Sequence, residues 1–263
     1  DSNTNWAWQT STALAGLNQW TNVVGRFDIG AQQIQTFING SASGSPTPQT
    51  DAGSQPTDFR LGGQSGEFWE GKLDECFVTT SALTNASICR IARCGVDGSL
   101  CTCNGSTFET TGRNISCDLS GLDCNAANPT FIPPPVTIAP RDWSRSFTAW
   151  WDLDDAAGGT RTNKAGATTC GGTPSNCDLP AKGSATNLDT TNKIQGAGAM
   201  SIVGAKTGGL QHAYSTVFKP DLVTPRFTFG GWFRVTDETS NHVFIHRRQF
   251  STSGFELQYN QAA

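Results

Sequence analysis

The stretch that decides the fold runs from Trp20 to Gly40: Trp20-Thr-Asn-Val-Val-Gly-Arg-Phe-Asp-Ile-Gly30 and then Gln35-Thr-Phe-Ile-Asn-Gly40. Apolar residues alternate with polar ones in both runs, which is the period of a strand that buries one side. Asn39-Gly40 supplies two residues that accept positive φ, as a tight hairpin turn needs if its twist is to match the flanking strands. In the second run Ile34, Thr36 and Ile38 share one face and Gln35 and Phe37 the other, and one face is expected to look inward. After a Ser/Gly/Pro-rich loop come Asp58-Phe-Arg-Leu-Gly-Gly63 and Trp69-Glu-Gly-Lys-Leu-Asp-Glu-Cys-Phe-Val78. The whole reads as a β-meander.

Beyond the meander, Leu83, Ile88 and Ile91 form a rough helical stripe within Leu83–Arg93, and Thr84 is placed to cap its start. A second β region opens at Ser146-Phe-Thr-Ala-Trp-Trp-Asp-Leu-Asp-Asp155. It continues through Ile194–Val203, Leu210–Phe218, Arg226-Phe-Thr-Phe-Gly-Gly-Trp-Phe-Arg-Val235, Val243–Ile245 and Phe255–Tyr259. Near the start, Asn5-Trp6-Ala7-Trp8-Gln9 puts both tryptophans on one strand face, where core packing is the plainer reading and a sugar-stacking platform the sharper one.

The order Phe-Asp, Phe-Ile-Asn-Gly, Leu-Gly-Gly, Gly-Lys-Leu-Asp-Glu and a short helix resembles the second half of a laminin G-like domain of the concanavalin A-like group. Trp-Asp-Leu-Asp, the small-residue strand after Gly196, and Phe-Thr-Phe-Gly-Gly-Trp-Phe resemble the first half of the same family. The resemblance implies an all-β, concanavalin A-like antiparallel β-sandwich (jelly roll), here with a Cys-rich disulfide-stapled linker. Both halves are present in reversed order. The expected organisation is 1–93, second half of a sandwich; 94–124, Cys-rich linker; 125–144, Pro-rich spacer; 145–263, first half. Pro133-Pro134-Pro135 makes the spacer extended and semi-rigid.

Three arrangements account for the reversal: a window cut from a tandem array, a circular permutant that closes on itself, or a subunit completed by a neighbour's half. The array is favoured, with a period near the length of the chain. The only methionine, Met200, is internal, so the chain is read as a processed or excised piece. Ala263 of one unit is expected near Asp1 of the next, with copies joined head-to-tail in a filament or covalent array.

Charged residues are only 15% of the chain, and Gly (29) and Pro (12) are abundant, which suits short strands joined by turns. A net charge of −4 with no basic patch argues against nucleic acid, and no apolar run is long enough for a membrane helix. Nine cysteines, Cys76, Cys89, Cys94, Cys101, Cys103, Cys117, Cys124, Cys170 and Cys177, point to disulfides and an extracellular location, secreted or at the cell surface. Zinc is a poor alternative, since Cys101-Thr-Cys103 is one residue short of a knuckle and no histidine is near. Cys170 and Cys177 share a polar loop and are expected to bond to each other. Cys76 is expected to bridge to Cys89 or Cys94, because the helix must pack back across its strand and laminin G-like relatives staple this region.

No catalytic motif is present. Glycoside hydrolases of the concanavalin A-like group carry carboxylates at alternate positions of one strand, but Glu70, Asp74 and Glu75 do not alternate, and Asp74 and Glu75 are expected on opposite faces. The histidines, His212, His242 and His246, are read as structural. No cofactor is expected, with calcium the one candidate, at Asp152 and Asp154. These two are expected to share a strand face and are better explained as turn caps or partners of arginines, and Ca²⁺ needs more oxygens than they supply. Among the Asn-x-Ser sequons, Asn104 and Asn114 are the better glycan acceptors, Asn39 being explained by its turn and Asn85 by the helix start.

The function expected from the sequence is a non-catalytic extracellular structural or adhesive module, the repeat unit of a filament-forming surface protein whose partners are copies of itself. The alternative is a permuted carbohydrate-binding, lectin-like domain with glycans as partners, and a glycoside hydrolase comes third.

Overall fold

The computed structural model describes residues 17–28, 30–48, 59–64, 67–68, 70–96, 101–104, 107–110, 147–156, 158–165, 170, 173–182, 186–202, 209–212, 226–236, 242–249 and 253–259. The strands in the first part are β1 (Thr21–Asp28), β2 (Gln33–Ile38), β3 (Ser41–Pro48), β4 (Phe59–Leu61), β5 (Gly63–Gln64), β6 (Glu67–Phe68) and β7 (Gly71–Thr79). Helix α1 (Asn85–Cys94) follows, and then the β8 (Cys101–Asn104) and β9 (Thr107–Thr110) ribbon. The later strands are β10 (Ala149–Trp151), β11 (Ala181–Lys182), β12 (Thr186–Asp189), β13 (Ala199–Ile202), β14 (Gly209–His212), β15 (Arg226–Val235), β16 (His242–Gln249) and β17 (Ser253–Tyr259). One sheet of eight strands has the order β12-β13-β7-β15-β1-β2-β3, with β10 also paired to β7, and a five-stranded sheet has the order β11-β14-β4-β16-β17. All pairings between these strands are antiparallel.

The Asn39-Gly40 turn joins β2 to β3, with φ of 49° and 80° at its two residues. This is the conformation for which an Asn-Gly pair is suited. The Asn39 side chain also accepts the Asn22 amide at 2.9 Å, which fixes the turn against β1.

Two apolar layers lie on opposite faces of the large sheet. Between the sheets, Val23, Phe27, Leu73, Val78, Trp151, Met200, Phe229 and Phe233 meet Phe59, Leu61, Leu210 and Phe244. On the outer face, Val24, Phe37, Phe77, Phe147 and Trp150 pack under Leu83, Ile88 and Ile91 of the helix segment. Strand β2 is therefore covered on both sides: Ile34 and Ile38 lean on the inter-sheet core while Phe37 is fully buried beneath the helix. The expectation that only one face is inward is corrected, because α1 supplies a third layer. The helix is capped as expected, with Thr84 Oγ1 accepting the Ser87 amide at 3.1 Å.

Alternation on β7 breaks at a bulge. Trp232 pairs with Asp74 and Gly230 with Phe77, so Gly231 alone faces Glu75 and Cys76. Glu75 has a φ of 52°, the left-handed value of a bulge residue. A Cβ at Gly231 would lie 2.8 Å from the Cys76 sulfur, which explains a glycine opposite the bulge. Leu73 and Cys76 consequently both line the inter-sheet core. Asp74 and Glu75 fall together on the other side. Their expected placement on opposite faces is wrong, since strict alternation holds only where no extra residue is inserted.

The two ends of the sequence are interleaved. Strand β15, from the 145–263 segment, lies between β1 and β7 of the 1–93 segment, and β4 sits between β14 and β16. Most of 94–124, all of the 125–144 spacer, and the residues Trp6, Trp8, Asp1 and Ala263 lie outside the described residues.

Cys170 and Cys177 form the expected disulfide, with Cα atoms 5.7 Å apart. Cys76 is a buried free thiol, which corrects its expected bridge to the helix. The reason is geometric: Cys76 points between the sheets, whereas α1 lies on the outer face. Burial pushes its thiol pKa well up, and Asp74 and Glu75 add to that. Cys89 and Cys94 are each disulfide-bonded. Cys101 and Cys103 lie on β8, while Cys117 and Cys124 are outside the described residues.

Candidate functional site

The five-stranded sheet brings chemistry together that is scattered in sequence. Ala181, Leu210, Leu61, Ile245 and Leu257 are paired in one rung across all five strands. Leu61 and Leu210 of this rung belong to the inter-sheet core. The next rung is Gln211–Arg60–His246–Glu256, across β14, β4, β16 and β17. Arg60 lies between buried Phe59 and Leu61 on its strand and is only half-buried, as is Gln211, which places these two on the outer face. At the spacing of neighbouring strands, four residues span about 14 Å. Its two outward members, Arg60 and Gln211, bring a guanidinium and an amide side by side, donors and an acceptor matched to a hydroxyl-rich ligand, and His246 and Glu256 continue the same rung in backbone register.

A second polar constellation covers the outer face at the other end of the large sheet, where the segment 190–198 is tied down by three carboxylates. Each accepts two successive amides. Asp189 Oδ1 takes Thr191 and Asn192 at 2.8 and 2.9 Å, Asp74 Oδ2 takes Ile194 and Gln195 at 2.7 and 3.3 Å, and Asp154 takes Ala197 and Gly198, both at 2.8 Å. Lys72 pairs with Asp189, and Arg234 donates to the Asn192 side chain at 2.6 Å. Desolvation would raise the Asp189 carboxyl, but the hydrogen bonds from Lys72, Asn192 and Thr191 outweigh it and hold it well below the usual range. These bonds explain why β13 begins only at Ala199, later than the apolar pattern from Ile194 suggests.

The calcium candidates sit beside this loop. Strand β10 ends at Trp151, and Leu153 has a φ of 61°, so Asp152 and Asp154 do not share a regular strand face. Asp154 is a turn cap, with both oxygens on backbone amides. Asp152 pairs with Lys164 at 3.4 Å, a lysine and not an arginine, and burial raises its pKa against that attraction. Among the described residues no three His, Cys, Asp or Glu side chains group to hold a metal. The neighbouring Asp155 holds the Thr162 amide at 2.8 Å.

Of the carboxylates weighed for hydrolysis, Asp74 serves the loop and Glu75 accepts the Trp150 indole N–H at 3.0 Å. Trp150, Trp151 and Trp232 are buried, and Trp151 donates to the Cys177 carbonyl at 2.8 Å, so these tryptophans serve packing. Asn85 accepts from Arg26 at 2.8 Å, in keeping with a role at the helix start. Asn104 ends β8, and Asn114 lies outside the described residues. The Gln211–Arg60–His246–Glu256 rung went unread in the sequence, where Arg60 and Glu256 lie at opposite ends and only strand register brings them together.

Residues 1–89 match the laminin G-like family model described as the concanavalin A-like lectin/glucanases superfamily. The resemblance read from the meander is thereby borne out over those residues, and the described architecture agrees with a concanavalin A-like sandwich. No curated protein and no solved structure gives a match to the chain.

Proposed function

We propose that the chain is a non-catalytic, lectin-like adhesive module of an extracellular protein, with the Gln211–Arg60–His246–Glu256 rung as its saccharide contact. The observation that carries this reading is the outward Arg60–Gln211 pair, continued in register by His246 and Glu256, beside the inward Leu61–Leu210 pair. The matched superfamily, which includes lectins, supports the ligand class. A disulfide supports an oxidising location. Among the described residues no helix is long and apolar enough to cross a membrane. Glu75 is engaged with Trp150 and Asp74 with the loop, which favours binding over hydrolysis.

Head-to-tail association of copies remains a proposal of a second kind. It loses its main support where β15 from the same chain fills the gap between β1 and β7, since a neighbour's strand is not needed there, and this favours the lectin-like permutant. A glycan array probed with the whole chain tests the leading reading. Saturable binding to a defined saccharide class is expected, and Arg60→Ala should weaken it at least tenfold while the melting temperature stays within a few degrees. Absence of saturable binding to any saccharide sinks the lectin reading and leaves the adhesive repeat in the lead.

A further inference from the structure

Asp74 is the least ordinary acid among the described residues. It is fully buried on the interior strand β7, its Oδ2 accepts the Ile194 and Gln195 amides, and its Oδ1 has no hydrogen-bond partner. A second buried oxygen without a donor is Oε1 of Gln195, the residue whose amide already binds the same carboxyl. An unsatisfied buried acceptor is costly, and an ionised carboxylate more so. A proton on Oδ1 would turn that orphan acceptor into part of a neutral acid and remove the larger cost. The charged and titratable groups around Asp74 do not remove the problem. On its own strand are Lys72, paired with Asp189, together with Glu75 and Cys76. Arg234 on β15 donates to Asn192, Lys193 of the loop donates to the Gly196 carbonyl at 2.6 Å, and Asp154 and Asp189 are themselves acids.

We propose that Asp74 is a neutral-acid latch: its carboxyl keeps a proton on the partnerless Oδ1 while Oδ2 holds the Ile194 and Gln195 amides, and so fastens the segment 190–198 to the sheet until rising pH ionises it. Burial is the main cause favouring the protonated form. The Ile194, Gln195 and Glu75 amides oppose it, and the negative Asp154 reinforces it. Since the folded pKa lies above the unfolded one, the latch is complete in acid and is lost as pH climbs from the usual carboxylate value through the folded value. The consequence for the molecule is a loop beside the large sheet that loosens toward alkaline conditions.

Amide hydrogen exchange at Ile194 and Gln195, measured by NMR on the whole chain and corrected for intrinsic exchange, tests this. Across that window the opening equilibrium should rise by up to about tenfold per pH unit. In Asp74→Asn, whose amide keeps one acceptor and one donor, protection should persist and lose its pH dependence. A flat profile in the wild-type protein overturns the proposal, as does an unchanged profile in the variant. Should Asp74→Asn not fold, the carboxyl-carbon titration of Asp74 in the wild-type chain decides. A midpoint well above the ordinary range is expected. An ordinary or lowered midpoint, which an enclosed water on Oδ1 would produce, overturns the latch.

Discussion

Two patches cover the outer face of the same large sheet, and they do so by different physics. At one patch α1 presses Ile88 and Ile91 onto Val24, Phe37 and Phe77, a contact made of apolar surface withdrawn from water. At the other, the segment 190–198 has few apolar contacts to offer, and three carboxylates hold six backbone amides instead. The first cover rests on apolar burial, with hydrogen bonds from Arg26 and to Thr228 fixing only the start of the helix segment. The second is directional, and two of its three acids are displaced in opposite senses, Asp74 upward and Asp189 downward. A polar lid over a sheet can thus be as orderly as an apolar one while remaining open to control by protons.

The largest expected break in this comparison is Ile88→Ala. Removing a fully buried side chain under the helix should cost about 2–5 kcal/mol in chemical unfolding, by the same amount at every pH tested. Asp154→Ala should cost about 2–3 kcal/mol, because the Ala197 and Gly198 amides lose a charged acceptor, and increased exchange should be confined to the loop. Asp189 predicts a pH effect of the opposite sign from Asp74. Its depressed pKa gives stability that is present above the unfolded value near 3.9 and drains away as pH falls below it. Asp189→Asn should flatten that acid limb of the melting curve. The smallest effect is at the helix cap, where Thr84→Ala should cost about 1 kcal/mol by losing the bond to the Ser87 amide.

The helix-covered patch was largely legible in the sequence and the loop-covered one was not. Asn39-Gly40, the Thr84 cap and the Leu83, Ile88, Ile91 stripe are local signals, each read from residues a few positions apart, and each appears where expected. The bulge at Glu75 depends on Gly231, far along the chain, and a period-two reading of Leu73-Asp-Glu-Cys cannot register it. That one inserted residue misplaced both Glu75 and Cys76. The tethered loop was equally hidden, since Asp74, Asp154 and Asp189 come from three separate segments and meet only through the order β12-β13-β7 and the pairing of β10 with β7. The same holds for the polar rung, whose members are aligned by register across four strands and by nothing in their local sequence.

The seat of β15 between β1 and β7 also sets a timetable for biosynthesis. Arg226, which pairs with Asp28 at 3.1 Å, is 198 residues downstream of it. At ordinary translation speeds that interval is roughly ten to forty seconds. During it β1 and β7 have emerged with an empty slot between them and their hydrogen-bonding edges uncovered, the kind of exposure that invites wrong pairing between nascent chains. Folding chaperones that shield strand edges should therefore matter most to this chain before Val235 is made, and a ribosome stalled ahead of Arg226 should carry a nascent chain that proteases still cut freely.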